Sequence, residues 1–307
     1  MKEEIRKRLL DLGAVAVGFA RGGEIDRKAA DSFREWVEEG NYGEMEYLKR
    51  HIPLRGNTDF VLSGSLSVIS MAFSFYPDEW RDDGLPYISA YAYGPDYHLK
   101  LREMLKPVVM DFEKAYGGKW RICIDSAPVA ERYWALKSGV GKRGVNGSVI
   151  IEGCGCFAFL VEILTTLKID PDEEVCDRWC HRCMKCADVC PSGALRGDGT
   201  VNASLCINYL TIEKKGDFTE EEKNILRKDK GYLFGCDRCL RVCPCNNKST
   251  KSKNILLSGS YPSAALALTA EMIISMSPAE FKSKFADTPL AYAGYSRLLR
   301  NASTLLN

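Results

Sequence analysis

The sequence predicts an α+β protein in three parts: a mixed α/β domain over residues 1–172, a cysteine-rich module over 173–250, and a helical segment over 251–307. Three observations carry this. Apolar residues recur at helical and strand spacing through the first part. In the second, cysteine, charge and short turns replace that patterning. In the third, Ser277-Pro278-Ala279-Glu280 pairs a capping hydroxyl with an acid three residues on, a helix start.

The elements follow in order. Amphipathic helices are expected at Glu4–Leu12 and Arg27–Glu39, and a buried strand at Ser67–Tyr76. From His98 to Tyr116, apolar Leu101, Leu105, Val108, Val109 and Phe112 keep helical spacing. Trp120, Ile122 and Ile124 alternate with Arg121 and Cys123, the period of two that marks a strand. That strand stops at Asp125-Ser126-Ala127-Pro128. A helix is expected next, running to Lys137 with Pro128 in its first turn and Val129, Tyr133 and Leu136 on one face.

The cysteines give the module its chemistry. Cys180, Cys183, Cys186 and Cys190 precede Pro191 as C-x2-C-x2-C-x3-C-P, and Cys236, Cys239 and Cys243 precede Pro244 as C-x2-C-x3-C-P. The first string is the bacterial ferredoxin arrangement, in which three thiolates hold one cubane and the fourth reaches a second. The second string lacks its leading cysteine, and the isolated Cys206 replaces it. The crossing rule then gives one [4Fe–4S] cluster Cys180, Cys183, Cys186 and Cys243, and the other Cys190, Cys206, Cys236 and Cys239. Structural zinc also uses C-x2-C pairs but gives no reason for the long string and its terminal proline. Cys123, Cys154, Cys156, Cys176 and Cys245 stay unassigned, with Cys154, Cys156 and Cys245 placed where a redox centre could be near.

Composition narrows the partners. The chain has 42 basic and 41 acidic residues, so no global field draws it to nucleic acid or membrane. Lys248, Lys251 and Lys253 read as a solvated loop. The most apolar run, Val61–Tyr76, is broken by serines and falls short of a membrane span. The start Met1-Lys2-Glu3-Glu4 is not a signal peptide, so a soluble cytoplasmic protein with reduced thiols is expected.

Gly139, Gly141 and Gly144 spell G-x-G-x-x-G, but here the motif follows a helix and leads into the strand Val149-Ile150-Ile151. A dinucleotide fingerprint needs the inverse context, so Gly139 is read as a helix cap. Asp125, at the junction of strand and helix, has two open readings. It or Ser126 caps the helix, or its carboxyl, kept protonated by burial, delivers a proton.

Several blocks resemble the epoxyqueuosine reductases over nearly the whole chain. They are Tyr47-Leu48-Lys49-Arg50-His51 with Arg55, Tyr91 to His98, Asp125 to Arg132, Gly139 to Gly144, Cys206 to Glu213, Gly235 to Cys239 and Leu299 to Ala302. The resemblance implies a cobalamin in a nitroreductase-like domain beside a ferredoxin-like module with both clusters. It implies reduction of the epoxide of epoxyqueuosine at the tRNA wobble position to queuosine, electrons passing through the cubanes to cobalamin. Asp125 matches the family's proton donor. Arg55, Asp125, Asn146, Asn208 and Asp237 fall at or near corrinoid-contacting stretches, and Lys214 is a candidate for touching tRNA. A monomer fed by an electron donor such as ferredoxin or flavodoxin is expected.

Departures from the family pattern are Tyr93 where arginine or tryptophan is common, Val145 for lysine and Cys245 for tryptophan. Many members continue into a helical-repeat tail, whereas this chain stops at Leu305-Leu306-Asn307, a short form. A corrinoid reductase of a smaller substrate, as in the reductive dehalogenases, and a plain electron carrier are the alternative readings.

Overall fold

The computed structural model describes residues 1–82, 84–174, 180–248 and 264–307. The first half runs α1 (Lys2–Asp11), β1 (Ala16–Arg21), α2 (Arg27–Glu38), α3 (Tyr47–Arg55), β2 (Ser67–Ser74), β3 (Tyr87–Ile88), α4 (Tyr97–Tyr116) and β4 (Trp120–Cys123). It continues with α5 (Glu131–Lys137), β5 (Lys142–Arg143), β6 (Val149–Ile150) and β7 (Ala158–Thr165). The second half comprises α6 (Lys185–Asp188), α7 (Ile207–Ile212), α8 (Glu220–Arg227), β8 (Tyr232–Phe234) and α9 (Arg238–Arg241). The chain closes with α10 (Ala270–Ser275), α11 (Pro278–Phe285) and α12 (Leu290–Leu306).

The main sheet has the order β1-β2-β7-β4 with antiparallel neighbours throughout. All eight residues of β2 are buried, because both faces of this central strand are covered. On one face Ile69, Met71, Phe73, Val161 and Ile163 join Ile5, Leu9, Leu101, Leu105 and Phe112 from α1 and α4. On the other, Val68, Cys123 and Leu164 meet Trp134 of α5. The serines of β2 keep their hydroxyls satisfied: Ser67 donates to the Leu167 carbonyl at 2.8 Å, and Ser70 to Glu162 Oε1 at 3.0 Å.

The cysteine-rich half joins this domain through a short parallel pair, Tyr87 opposite Tyr232 and Ile88 opposite Phe234. Helix α12 packs over the junction. Asn301, fully buried, donates 2.9 Å hydrogen bonds to the carbonyls of Thr211 and Leu233, tying α12 to α7 and β8. The expected helix start at Ser277 is a full capping box with Glu280.

One expected element differs. The helix begins at Glu131, with Ala130 as its cap residue and no side-chain cap, so neither Asp125 nor Ser126 caps it and Pro128 lies outside its first turn. Asp125 adopts φ +51°, a left-handed turn that redirects the chain. Ser126 N–H then bonds back to the Ile124 carbonyl and Val129 N–H to that of Ala127, spending loop donors on tight local turns. The buried face of α5 is Trp134 and Ala135, with Tyr133 and Leu136 partly exposed. Gly139, at φ +72° just past the helix, takes the conformation glycine tolerates best. Cys176, Lys251, Lys253 and the Lys248 side chain lie outside the described residues, as does the 250/251 boundary.

Candidate functional site

Two thiol quartets and one aspartate–histidine–tyrosine group make up the candidate site. Cys180, Cys183, Cys186 and Cys243 line a single cavity together with Val145, Asn146, His181 and Cys245. The α6 turn brings three of them there and the chain after α9 brings Cys243. Cys190, Cys206, Cys236 and Cys239 form the second group. Burial, then the charges of Cys236, Cys206 and Cys190, push the Cys239 thiol well above its ordinary range. Cys180, Cys186, Cys190 and Cys239 also pack in one apolar cluster around Val145 and Leu195, so the two quartets adjoin.

The cysteines left over divide. Cys123 and Cys154 are buried fillers, the latter with its thiol 3.5 Å from the Phe157 carbonyl. Cys156 and Cys245 both hydrogen-bond the Cys243 thiol. The three departures noted in the sequence therefore act locally: Tyr93 is buried in the main core, Val145 packs on Cys186, and Cys245 flanks a cluster cysteine.

The acid group forms where the β4–α5 loop meets the start of α4. Asp125 Oδ2 accepts a 2.7 Å hydrogen bond from the Tyr97 hydroxyl and stands 3.3 Å from His98 Nε2. His98 Nδ1 is 2.9 Å from Asp96 Oδ1. The Asp125 side chain is 62% exposed, with Tyr97 and His98 against one of its oxygens. Burial favours its neutral form, but the hydrogen bonds from His98 and Tyr97 outweigh that and hold it below the usual carboxylate range. Burial likewise opposes a charge on His98, and its bonds to Asp125 and Asp96 overcome it, pushing the imidazole up to about 9. The protonated Asp125 expected from burial alone is thus corrected. At neutral pH the proton sits on His98 and the negative charge on Asp125.

An aromatic row leads from this acid to the cysteine-rich half. The Tyr97 and Tyr91 rings are 6.1 Å apart, and Tyr91 and Phe234 6.0 Å. Phe234 lies two residues before Cys236. Within reach of the Asp125 charge, the Tyr292 hydroxyl bonds both oxygens of Glu213, at 3.1 and 3.0 Å.

The remaining sequence candidates are placed unequally. Arg55, on α3, exerts its charge on Asp125 and Glu131 and rests over the Phe33 ring. Asn146 is buried between the quartets, its amide 3.4 Å from the Cys239 carbonyl and 3.9 Å from Cys156 Sγ. Asn208 is exposed at the start of α7, its side chain beside Gly235. Asp237 is different: Ser89 Oγ donates to one oxygen at 2.5 Å and Ala90 N–H to the other at 2.6 Å. Its carboxylate pins the β3 end to the cluster segment. Lys214 is paired: its ammonium sits 2.7 and 2.8 Å from the two oxygens of Glu222, with 15% of the side chain exposed.

The sequence assigns no catalytic or positioning role to Tyr97, His98 or Glu131. The Asp96-Tyr97-His98 triplet at a helix start carried a signal only in retrospect, because its partner Asp125 lies 27 residues beyond His98.

The residues fit iron–sulfur clusters and a large polar cofactor. The four cysteines of the first quartet line one shared cavity. A cubane carries its iron at the corners of such a space. On α3, His51 Nδ1 and Arg55 Nε are buried without a hydrogen-bond partner among the described residues. A corrinoid, rich in amides and carrying a phosphate, supplies groups that buried donors and acceptors require.

Comparison with known proteins agrees with this chemistry. A family model described as a 4Fe-4S double cluster binding domain matches residues 179–246, and one described as epoxyqueuosine reductase QueG, DUF1730, matches residues 55–126. An epoxyqueuosine reductase of Cellulophaga algicola is 32% identical over 302 residues, spanning 98% of this chain and 96% of the relative. A solved epoxyqueuosine reductase bound to a tRNA-Tyr epoxyqueuosine-modified stem loop superposes with TM-score 0.85 at 25% identity, over 99% of this chain and 80% of that one. A Bacillus subtilis epoxyqueuosine reductase, its catalytic aspartate loop swung out of the active site, gives TM-score 0.81 at 26% identity, over 99% and 80%.

Proposed function

Since the chain belongs to the epoxyqueuosine reductase family, we propose that it reduces the epoxide of epoxyqueuosine at the tRNA wobble position, yielding queuosine. Its cofactors are two [4Fe–4S] clusters and cobalamin. The net change takes two electrons and two protons: the epoxide carbon–oxygen bonds break, a double bond forms and water leaves. Bound in the cleft, cobalamin supplies a strongly reducing centre for carbon–oxygen cleavage, with the clusters as its source of electrons. The observation that carries the reading is the Asp125–His98–Tyr97 group, in which a charged imidazole stands 3.3 Å from the carboxylate and the Tyr97 hydroxyl donates to it.

The chain's own residues handle the proton. Asp125, a carboxylate at rest, takes the His98 proton across their 3.3 Å contact and passes it to the oxygen released from carbon, and His98 regains its proton from solvent. Tyr97 fixes the carboxylate by its hydroxyl, and the Tyr97 ring is itself clamped by stacking on Phe159 at 4.2 Å. Arg55, Asn146 and Asn208 hold the cobalamin. One cluster is held by Cys180, Cys183, Cys186 and Cys243, the other by Cys190, Cys206, Cys236 and Cys239.

The division into a nitroreductase-like domain (1–172), a ferredoxin-like module (173–250) and a C-terminal helical segment (251–307) belongs to the same proposal. So do a ferredoxin or flavodoxin electron donor, a monomeric state and a cytoplasmic setting. Among the described residues no helix is long and apolar enough to cross a membrane.

The test is direct. Anaerobically reconstituted protein, a reductant and an epoxyqueuosine-modified tRNA stem loop are incubated, and the nucleosides are analysed. Queuosine is the expected product; unchanged epoxyqueuosine, where a control relative converts it, overturns the proposal.

A further inference from the structure

Resting on that reading of Asp125, we propose that Glu131 is a positioning residue, its side-chain carboxyl latching the Asp125 loop into the cleft by accepting the Asp125 backbone N–H. The pairing of β4 with β7 ends at Cys123 opposite Glu162, so Asp125 lies beyond the ladder and its N–H needs another acceptor. Glu131 Oε1 meets that N–H at 2.6 Å. The bond spans a loop whose first residue holds φ +51°, a backbone state that persists in non-glycine residues when its surroundings enforce it. Asp125 is therefore gripped at both ends: Tyr97 and His98 of α4 hold its side chain, and the first residue of α5 holds its backbone.

Glu131 is itself confined. Arg55 and Arg132 act on it with opposite charge, and Asp125 with like charge. Behind it stands Glu162, fully buried, with Ser70 on one oxygen and no hydrogen-bond partner for the other among the described residues. Burial and the Asp125 charge raise Glu131 to about 8. The latch does not depend on that titration, because an oxygen of either the acid or the carboxylate accepts an N–H. Retraction of Glu131 frees the loop, which makes this side chain the catch on any outward swing of Asp125.

The test compares Glu131→Ala, Glu131→Asp and Glu131→Gln in the holoprotein. Amide hydrogen exchange of residues 124–129 is measured together with kcat and KM for the modified stem loop. In Glu131→Ala the segment exchanges at least tenfold faster and kcat falls, with KM and the iron and cobalamin content near wild type. Glu131→Asp, too short to reach, behaves alike and stands in should the alanine variant fail to fold. Glu131→Gln, which keeps an acceptor oxygen, restores slow exchange and most of kcat. Wild-type exchange in the alanine or aspartate variant overturns the latch, as does fast exchange in the glutamine variant. Exchange is read without turnover, so the latch stands or falls on it even where the substrate assignment is wrong.

Discussion

Asp125 and His98 share one proton across 3.3 Å, and the histidine holds it. Desolvation by itself favours the protonated carboxyl. Two hydrogen bonds to the charged carboxylate and a cation beside it reverse that order. A negatively charged Asp125 backed by a charged imidazole is still an acid catalyst, but its reservoir is the imidazole.

Asp125→Asn removes the donor and leaves the cavity shape intact. Turnover is expected to fall by about 10²- to 10⁴-fold, the usual contribution of a positioned acid, with iron and cobalamin content unchanged. Unchanged turnover would remove Asp125 from the chemistry.

The pH profile reports on His98. It carries its proton below about 9 and loses it above, so the wild-type rate holds through neutral pH and declines on an alkaline limb near 9. In His98→Gln the cation that depresses Asp125 is gone, and Asp125 becomes its own reservoir with a carboxylate's lower pKa. The limb then moves to lower pH. A limb that stays in place would show that His98 is not the reservoir.

Much of this was legible in the chain, and the exceptions have physical causes. The cysteine strings predict two quartets because a cubane's ligand spacing is local, and the first four of these thiols do line one cavity. Helices such as α4 and the capping box at Ser277 were legible because their signals lie within one turn. The start of α5 was misread because Asp-Ser-Ala-Pro satisfies both a cap pattern and a turn. The left-handed φ of Asp125 decides between them, and it is held by contacts to Tyr97, His98 and Glu131. Lys214 and Asp237 look available in sequence, but their partners Glu222 and Ser89 are assigned by packing of the folded chain.

Cys206→Ala tests the ligand assignment. The variant should lose one cubane's iron and sulfide and keep the other. Full occupancy of both clusters would shift the eighth ligand to another cysteine, with Cys245 the first to examine.

Lys214→Ala separates a structural lysine from a tRNA contact. Loss of its partly buried pair with Glu222 should lower the urea-unfolding stability by about 1 kcal/mol. The logarithmic salt dependence of stem-loop binding should stay as in wild type. A decrease of ~0.7, the value for one phosphate contact on a single strand, would return Lys214 to the tRNA interface.

The central claim is that eight thiols in two quartets carry iron cubanes beside a cobalamin cleft. Iron, acid-labile sulfide and cobalt, quantified per chain in protein reconstituted with cobalamin and handled without oxygen, test it most directly. Two cubanes' worth of iron and sulfide with one bound cobalt is the predicted result. Zinc in place of iron, or a chain that retains no cobalt, would contradict it.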